Sequence, residues 1–218
     1  MAIKPILFNT EMVRAILNGS KTQTRRIVKG LEDVHPYCAE PAEDAYETLD
    51  EWDFMFGSLL PNGVLLDAAL AIKAPCSVGD ILWVRETWCA YHMPDGSVFN
   101  IYKASNPNGN GRPTSQEYDA PYDIQPWKPA IHMPKKAARI FIKVNDIRAK
   151  RLQDMDEEAA IAEGFSDSPI ETDSPLQRFS ELWDKTIKRD DLREYGYHAN
   201  PWVWVIKFER CEKPEGCD

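Results

Sequence analysis

Met12, Val13, Ile16 and Leu17 form an apolar stripe at spacings of three to four, which predicts a short helix near the N-terminus. Thr10 is placed to cap its start, and Asn18-Gly19 to stop it. The "KTQTRRIV" that follows is rich in threonine and ends β-branched, so a strand leaving a tight turn is expected. "SVGDILWVRETW" (77–88) opens on a Gly-Asp turn and continues as a strand. In "AARIFIKVNDIRA" (137–149), Ile140, Ile142 and Val144 alternate with Arg139, Phe141 and Lys143, the pattern of a long half-buried strand. Asp154-x-x-Glu157 has the form of a capping box for a helix that runs to Glu163 and stops at Gly164. Ser174-Pro175 opens another, with Leu176, Phe179, Leu182, Trp183 and Ile187 facing inward. "PWVWVIKFER" (201–210) is a closing strand, with Trp202 and Trp204 on one face and Val203 and Val205 on the other.

Between these elements the pattern weakens. Residues 29–75 are acidic with little periodicity, although "WDFMFGSLL" is apolar enough to pack back onto the domain. Residues 104–130 carry many Asn, Gly and Pro. Both read as insertions, with a shorter one at 166–174. Short helices among long strands, without regular βαβ alternation, predict an α+β fold with a mixed or closed sheet, as one domain over 1–218.

Composition adds three constraints. At 218 residues and 43% apolar, the chain is long enough to bury a core without metal or disulfide staples. No apolar run approaches the ~20 residues of a membrane span, and "MAIKPILFNT" lacks the apolar region of a signal peptide. An intracellular, cytoplasmic protein without a membrane partner is expected. Five cysteines without a C-x-x-C pair fit ordinary reduced thiols better than a disulfide framework or zinc site.

The net charge of −9 would disfavour nucleic acid if it were spread evenly. It is not. Nine acids and no Lys or Arg lie between Glu32 and Asp53, and setting those nine aside leaves 26 acids against 26 bases. A basic cleft elsewhere is therefore compatible with the acidic total. The most basic run is Lys135, Lys136, Arg139, Lys143, Arg148, Lys150 and Arg151, either a solvated face or a strip that holds phosphates.

Common catalytic signatures are missing from the sequence. There is no P-loop, dinucleotide fingerprint, H-E-x-x-H, paired Cys/His motif or serine-hydrolase elbow, so neither metal nor cofactor is expected. The chemistry falls to less familiar groups, and "ILNGSKTQTRR" concentrates them. Together with "VGDILWVRETW", "IAEGF" and "NPWVWVIKFER", it resembles the activating signal cointegrator homology (ASCH) superfamily. The family's helix ending in Gly-x-Lys-Thr-x-Thr-x-Arg is matched by Gly19, Lys21, Thr22, Thr24 and Arg26. The family core would cover roughly 3–28, 75–103 and 131–210. The longer form, with "WKPAIHMPKKAARI" and "YGYHANPWVWVI", looks like ASCH proteins encoded by bacteriophages and prophages.

The resemblance implies a small PUA-like β-barrel flanked by short helices. It also implies action on a modified nucleoside, nucleotide or RNA. Small bacterial members hydrolyse the amide of N4-acetylcytidine with a lysine, a threonine and a glutamate. By motif position these correspond to Lys21, Thr24 and Glu163. Arg26, Arg85, Glu86, Trp88 and His132 are the expected substrate-binding residues. The alternative is a non-catalytic RNA-binding module, or a weak single-strand ribonuclease.

A threonine hydroxyl needs a neighbour to take its proton, and a lysine can do so only as the neutral amine. Arg25 and Arg26 are adjacent cations that would help to hold it neutral. Regular strand geometry puts Lys21 and Thr24 on opposite faces. Either Lys21 sits in the turn and reaches back, or Thr22 is its neighbour. Arg25 is expected to face outward. An exposed strand with solvated charges would explain the same residues without a site. Arg85 and Glu86 fit a structural ion pair as well as a cleft, His132 fits a structural hydrogen-bonder, and the Trp202/Trp204 face fits the core.

Overall fold

The computed structural model describes residues 1–31, 38–41, 53–57, 70–92, 98–106, 126–165 and 174–215. Most of the three expected insertions lies outside these residues. The chain folds as two compact units: Met1–Lys21, Ile81–Lys143 and Glu209–Asp218 form the first, Thr22–Asp80 and Val144–Phe208 the second.

In chain order the elements are β1 (Ile3–Leu7), α1 (Thr10–Leu17), β2 (Gln23–Ile27), β3 (Cys38–Pro41), β4 (Asp53–Gly57), β5 (Leu70–Lys73), β6 (Ile81–Arg85), β7 (Trp88–His92) and β8 (Val98–Tyr102). They continue with β9 (Phe141–Arg151), α2 (Glu157–Ala162), α3 (Pro175–Thr186), α4 (Leu192–Tyr195) and β10 (Trp202–Cys211). The main sheet has the order β1-β6-β9-β10-β2, and both β9 and β10 contribute residues to each unit. This is the expected α+β arrangement. Among the described residues the five strands make an open sheet and do not close into a barrel.

The first unit is built on β1, which runs parallel to β6 with Ile3 opposite Ile81 and Leu7 opposite Arg85. β6 then pairs antiparallel with the start of β9, Trp83 opposite Phe141. The strand expected over 77–88 is two strands. It breaks after Arg85, and β7 pairs with β8 in a separate two-stranded sheet. The Gly-Asp turn before it is as expected. Gly79 takes φ +84°, and the buried Asp80 carboxylate accepts the Ser77 N–H at 3.1 Å. Ile81, Trp83, Trp88, Met133 and Phe141 are central to this unit's core.

α1 begins one residue earlier in its capping than the sequence suggests. Asn9, not Thr10, is the N-cap, accepting the Met12 N–H at 2.8 Å. Its stop is as expected, because Gly19 takes φ +82°, a conformation that costs L side chains roughly 1 kcal/mol or more.

In the second unit β2 pairs antiparallel with β10, Thr24 opposite Ile206 and Arg26 opposite Trp204. One core lies among Leu152, Met155, Ala160, Phe179, Trp183, Val203 and Val205. β3-β4-β5 form a second sheet, and Phe54 and Phe56 of β4 meet Trp204 and Trp202 edge to face at 5.0 and 5.5 Å between centroids. Phe54 and Phe56 of the apolar "WDFMFGSLL" thus pack back as anticipated, its residues 52 and 58–60 lie outside the described ones, and the tryptophan face is core. Burial is continuous from Trp202 to Ile206, so both faces of β10 are covered there.

α2 also has a corrected cap. Asp156 accepts the Ala159 N–H at 2.7 Å, whereas Asp154 caps the preceding 3-10 turn by accepting the Arg151 N–H at 3.2 Å. Ser174 caps α3 as expected, through the Gln177 N–H at 3.2 Å. Among the described residues no helix is long and apolar enough to cross a membrane.

Candidate functional site

After Gly19 the chain turns back on α1, with the Lys21 N–H bonded to the Ala15 carbonyl at 3.0 Å. Lys21 precedes β2 rather than lying in it, as an isolated bridge residue two positions after the Asn18-Gly19 turn. It ends the first unit, is 2% exposed, and carries its ammonium 5.7 Å from the centre of the Phe8 ring. The second unit begins at Thr22, whose N–H donates to the Ala162 carbonyl at 2.8 Å while its own carbonyl accepts from Phe208.

β2 does not have the solvated face that a charge-rich strand ordinarily shows. Gln23, Thr24 and Arg25 are all buried, at 4%, 0% and 6% exposure. Its alternation sends odd positions toward α2. The Gln23 amide donates to the Ala159 carbonyl at 2.6 Å, and the Arg25 guanidinium donates to Glu163 Oε1 at 2.9 Å. Arg25 is therefore not the outward-facing neighbour expected. It forms a fully buried ion pair with Glu163, the residue that caps the C-terminal end of α2 just before Gly164 (φ +101°).

Even positions hold a second pair. Arg26 Nη1 donates to Thr24 Oγ1 at 2.8 Å and to the Arg25 carbonyl at 2.8 Å. Burial holds the Arg26 pKa below the ordinary arginine range, opposed by the Glu163 carboxylate. Thr24 thus places its hydroxyl against a guanidinium, which stabilises an oxygen that gains negative charge.

Arg85, Glu86, Trp88 and His132 all belong to the first unit. Glu86 is buried and takes a bidentate ion pair from Arg139, at 2.9 and 3.0 Å, rather than pairing with Arg85. Arg139 also donates to Ser105 Oγ at 2.8 Å and lies 4.1 Å over the Tyr102 ring. Arg85 donates to the Ile131 carbonyl and sits over Trp83. Trp88 is buried with Lys128 over its ring at 5.3 Å, and its indole N–H has no hydrogen-bond partner among the described residues. His132 is exposed in a 3-10 turn.

Sequence reasoning missed Arg25 and Gln23. A usable signal existed: period 2 separates Gln23 and Arg25 from Thr24 and Arg26, so both faces of a buried strand carry polar groups that require partners. It also missed Arg139 as the partner of Glu86, a contact spanning 53 residues. Among the described residues no three His, Cys, Asp or Glu side chains are grouped to hold a metal.

Arg25 has a further role in the second unit's geometry, because it lines a cavity of about 350 Å³ between β2, the end of β9, β10 and α2. No family model, curated protein or solved structure matches this chain.

Proposed function

We propose that the chain is an ASCH-type, PUA-like protein acting on a modified nucleoside, nucleotide or RNA in the cytoplasm, most concretely hydrolysing an N4-acylcytosine amide. The observation that carries this reading is the burial of Thr24, Arg25 and Glu163 within the second unit. Removing so many polar and charged groups from water is costly, and their concentration around one motif is more economical as a site than as core.

In this reading Lys21, acting as the neutral amine, takes the Thr24 proton. Arg26, already donating to Thr24 Oγ, stabilises the alkoxide as its proton leaves, and that oxygen then attacks the acyl carbonyl carbon. The C–N4 bond breaks, cytosine leaves as the neutral amine after receiving the proton held by Lys21, and water hydrolyses the threonyl ester. Glu163, ion-paired with Arg25, accepts the N4 hydrogen bond and orients the amide. It acts as a stabiliser rather than as the acid.

The decisive assay is mass-spectrometric detection of cytidine released from N4-acetylcytidine. Wild-type protein should release it, and Thr24→Val should lower the rate by about 10²-fold or more. Intact N4-acetylcytidine and other N4-acylated cytosines after prolonged incubation would remove the hydrolase reading.

The second reading is a non-catalytic RNA-binding module. It is favoured by the mutual satisfaction of Arg25 with Glu163 and Arg26 with Thr24, in a unit that also exposes Arg148, Lys150 and Lys207. It requires salt-dependent RNA binding that Arg26→Ala weakens and Glu163→Gln leaves nearly unchanged.

A further inference from the structure

Helix α2 is only six residues long, too short to hold itself together in water. Its C-terminal end also carries an acid, Glu163, where the backbone carbonyls already concentrate negative charge. Contacts from outside the helix must fix this end, and the last four carbonyls of α2 show which they are. Ala160 and Ile161 accept the Phe165 and Gly164 N–H groups at 3.2 and 2.8 Å, which closes the turn locally. Ala159 and Ala162 are reached from the chain at the start of β2. The Gln23 side-chain amide donates to the Ala159 carbonyl at 2.6 Å, and the Thr22 backbone N–H to the Ala162 carbonyl at 2.8 Å.

Arg25 adds the third contact, on the Glu163 carboxylate itself at 2.9 Å. Thr22, Gln23 and Arg25 thus hold one end of α2 from one short stretch of chain, the stretch that also carries Thr24. The three contacts are not equivalent. Thr22 gives a backbone N–H, which any residue but proline supplies. Arg25 touches Glu163 directly. Gln23 is 4% exposed and reaches a carbonyl one turn before Glu163. That carbonyl already accepts the Glu163 N–H at 3.1 Å, so it stays paired without Gln23. What the buried amide adds is not satisfaction of an orphaned group but a fixed place for the carbonyl, and hence for the residue whose N–H shares it.

We propose that Gln23 is a positioning residue: by bonding the Ala159 carbonyl it sets the end of α2, and with it the Glu163 carboxylate, against the strand that carries Thr24. What this does for catalysis rests on the hydrolase reading; the latch on α2 does not. Gln23 borders the cavity of about 350 Å³, so a longer side chain has room to replace it.

Gln23→Met keeps the length of the side chain and removes the N–H donor, and Gln23→Lys restores a donor. Hydrogen exchange followed by NMR should find the Gly164 and Phe165 amides about fivefold faster in Gln23→Met, with β9 and β10 unchanged. Gln23→Lys should regain wild-type protection. With N4-acetylcytidine, kcat should fall about tenfold in Gln23→Met while KM stays within about twofold, because orientation rather than affinity is lost. Gln23→Lys should recover most of that rate. Exchange that rises equally through β9 and β10 would make Gln23 a general packing residue and overturn the proposal, as would unaltered exchange at the end of α2. A local change in a protein that leaves N4-acetylcytidine intact keeps the latch and discards the hydrolase. Hydrolysis with a kcat indifferent to Gln23→Met keeps the hydrolase and discards the positioning role.

Discussion

The Arg25–Glu163 pair joins β2 to the end of α2 across 138 residues, with both side chains almost wholly removed from water. Desolvating two charges is expensive, and their attraction repays it only while both are present. Glu163→Gln or Arg25→Met alone should therefore cost roughly 3–5 kcal/mol of stability, read by urea unfolding. The paired change Arg25→Met/Glu163→Leu should cost clearly less than the two single changes added together. Single changes within about 0.5 kcal/mol of wild type would mean that the pair is solvated in solution. The residue types at these positions are plain in the sequence, and the lysine, threonine and glutamate can be singled out by motif. The burial of Arg25 cannot be, because period 2 sorts side chains into two faces without saying that a helix covers one of them.

Helix ends are legible to within a residue or two. "NTEM" and "DMDEE" each offer more than one side chain able to cap, and the choice depends on which oxygen reaches a free N–H. Asn9 and Asp156 make those bonds. Asn9→Ala should accordingly lower stability by about 1 kcal/mol, and Thr10→Ala by only a few tenths. Equal losses in chemical denaturation would return the cap to Thr10. Gly19 and Gly164 were readable as stops because left-handed backbone strongly favours glycine. The break between β6 and β7 was not. "ILWVRETW" continues a strand-like pattern through it, and only the switch of pairing from β1 and β9 to β8 reveals two strands.

At the scale of the molecule, buried acids set how stability responds to alkali. Burial pushes the Cys89 thiol up to about 11, with Lys128 pulling weakly the other way. Tyr102 is also raised, first by burial, with Arg139 opposing and Glu86 adding to the rise. Each group keeps its proton longer in the folded state than in the unfolded chain. Below the ordinary thiol value of ~8.5 both states are protonated and nothing changes; above it the unfolded state ionises first and stability falls. The urea midpoint should drop between about pH 8.5 and pH 11, and Cys89→Ala should flatten part of that drop. Parallel curves for the two proteins would exclude the thiol as a source.

The α+β class, the helix stops and the strands β2, β9 and β10 were accessible from residue order because their signals act over a few neighbouring positions: a cap, a glycine, a β-branched alternation. The division into two units, the aromatic contacts of Phe54 and Phe56 with Trp202 and Trp204, and the partners of Arg25, Glu86 and Lys21's strand neighbours were not. Those depend on segments tens to more than a hundred residues apart arriving at the same place. A polar side chain becomes a site residue or a solvated one according to what arrives beside it, and local sequence does not carry that information.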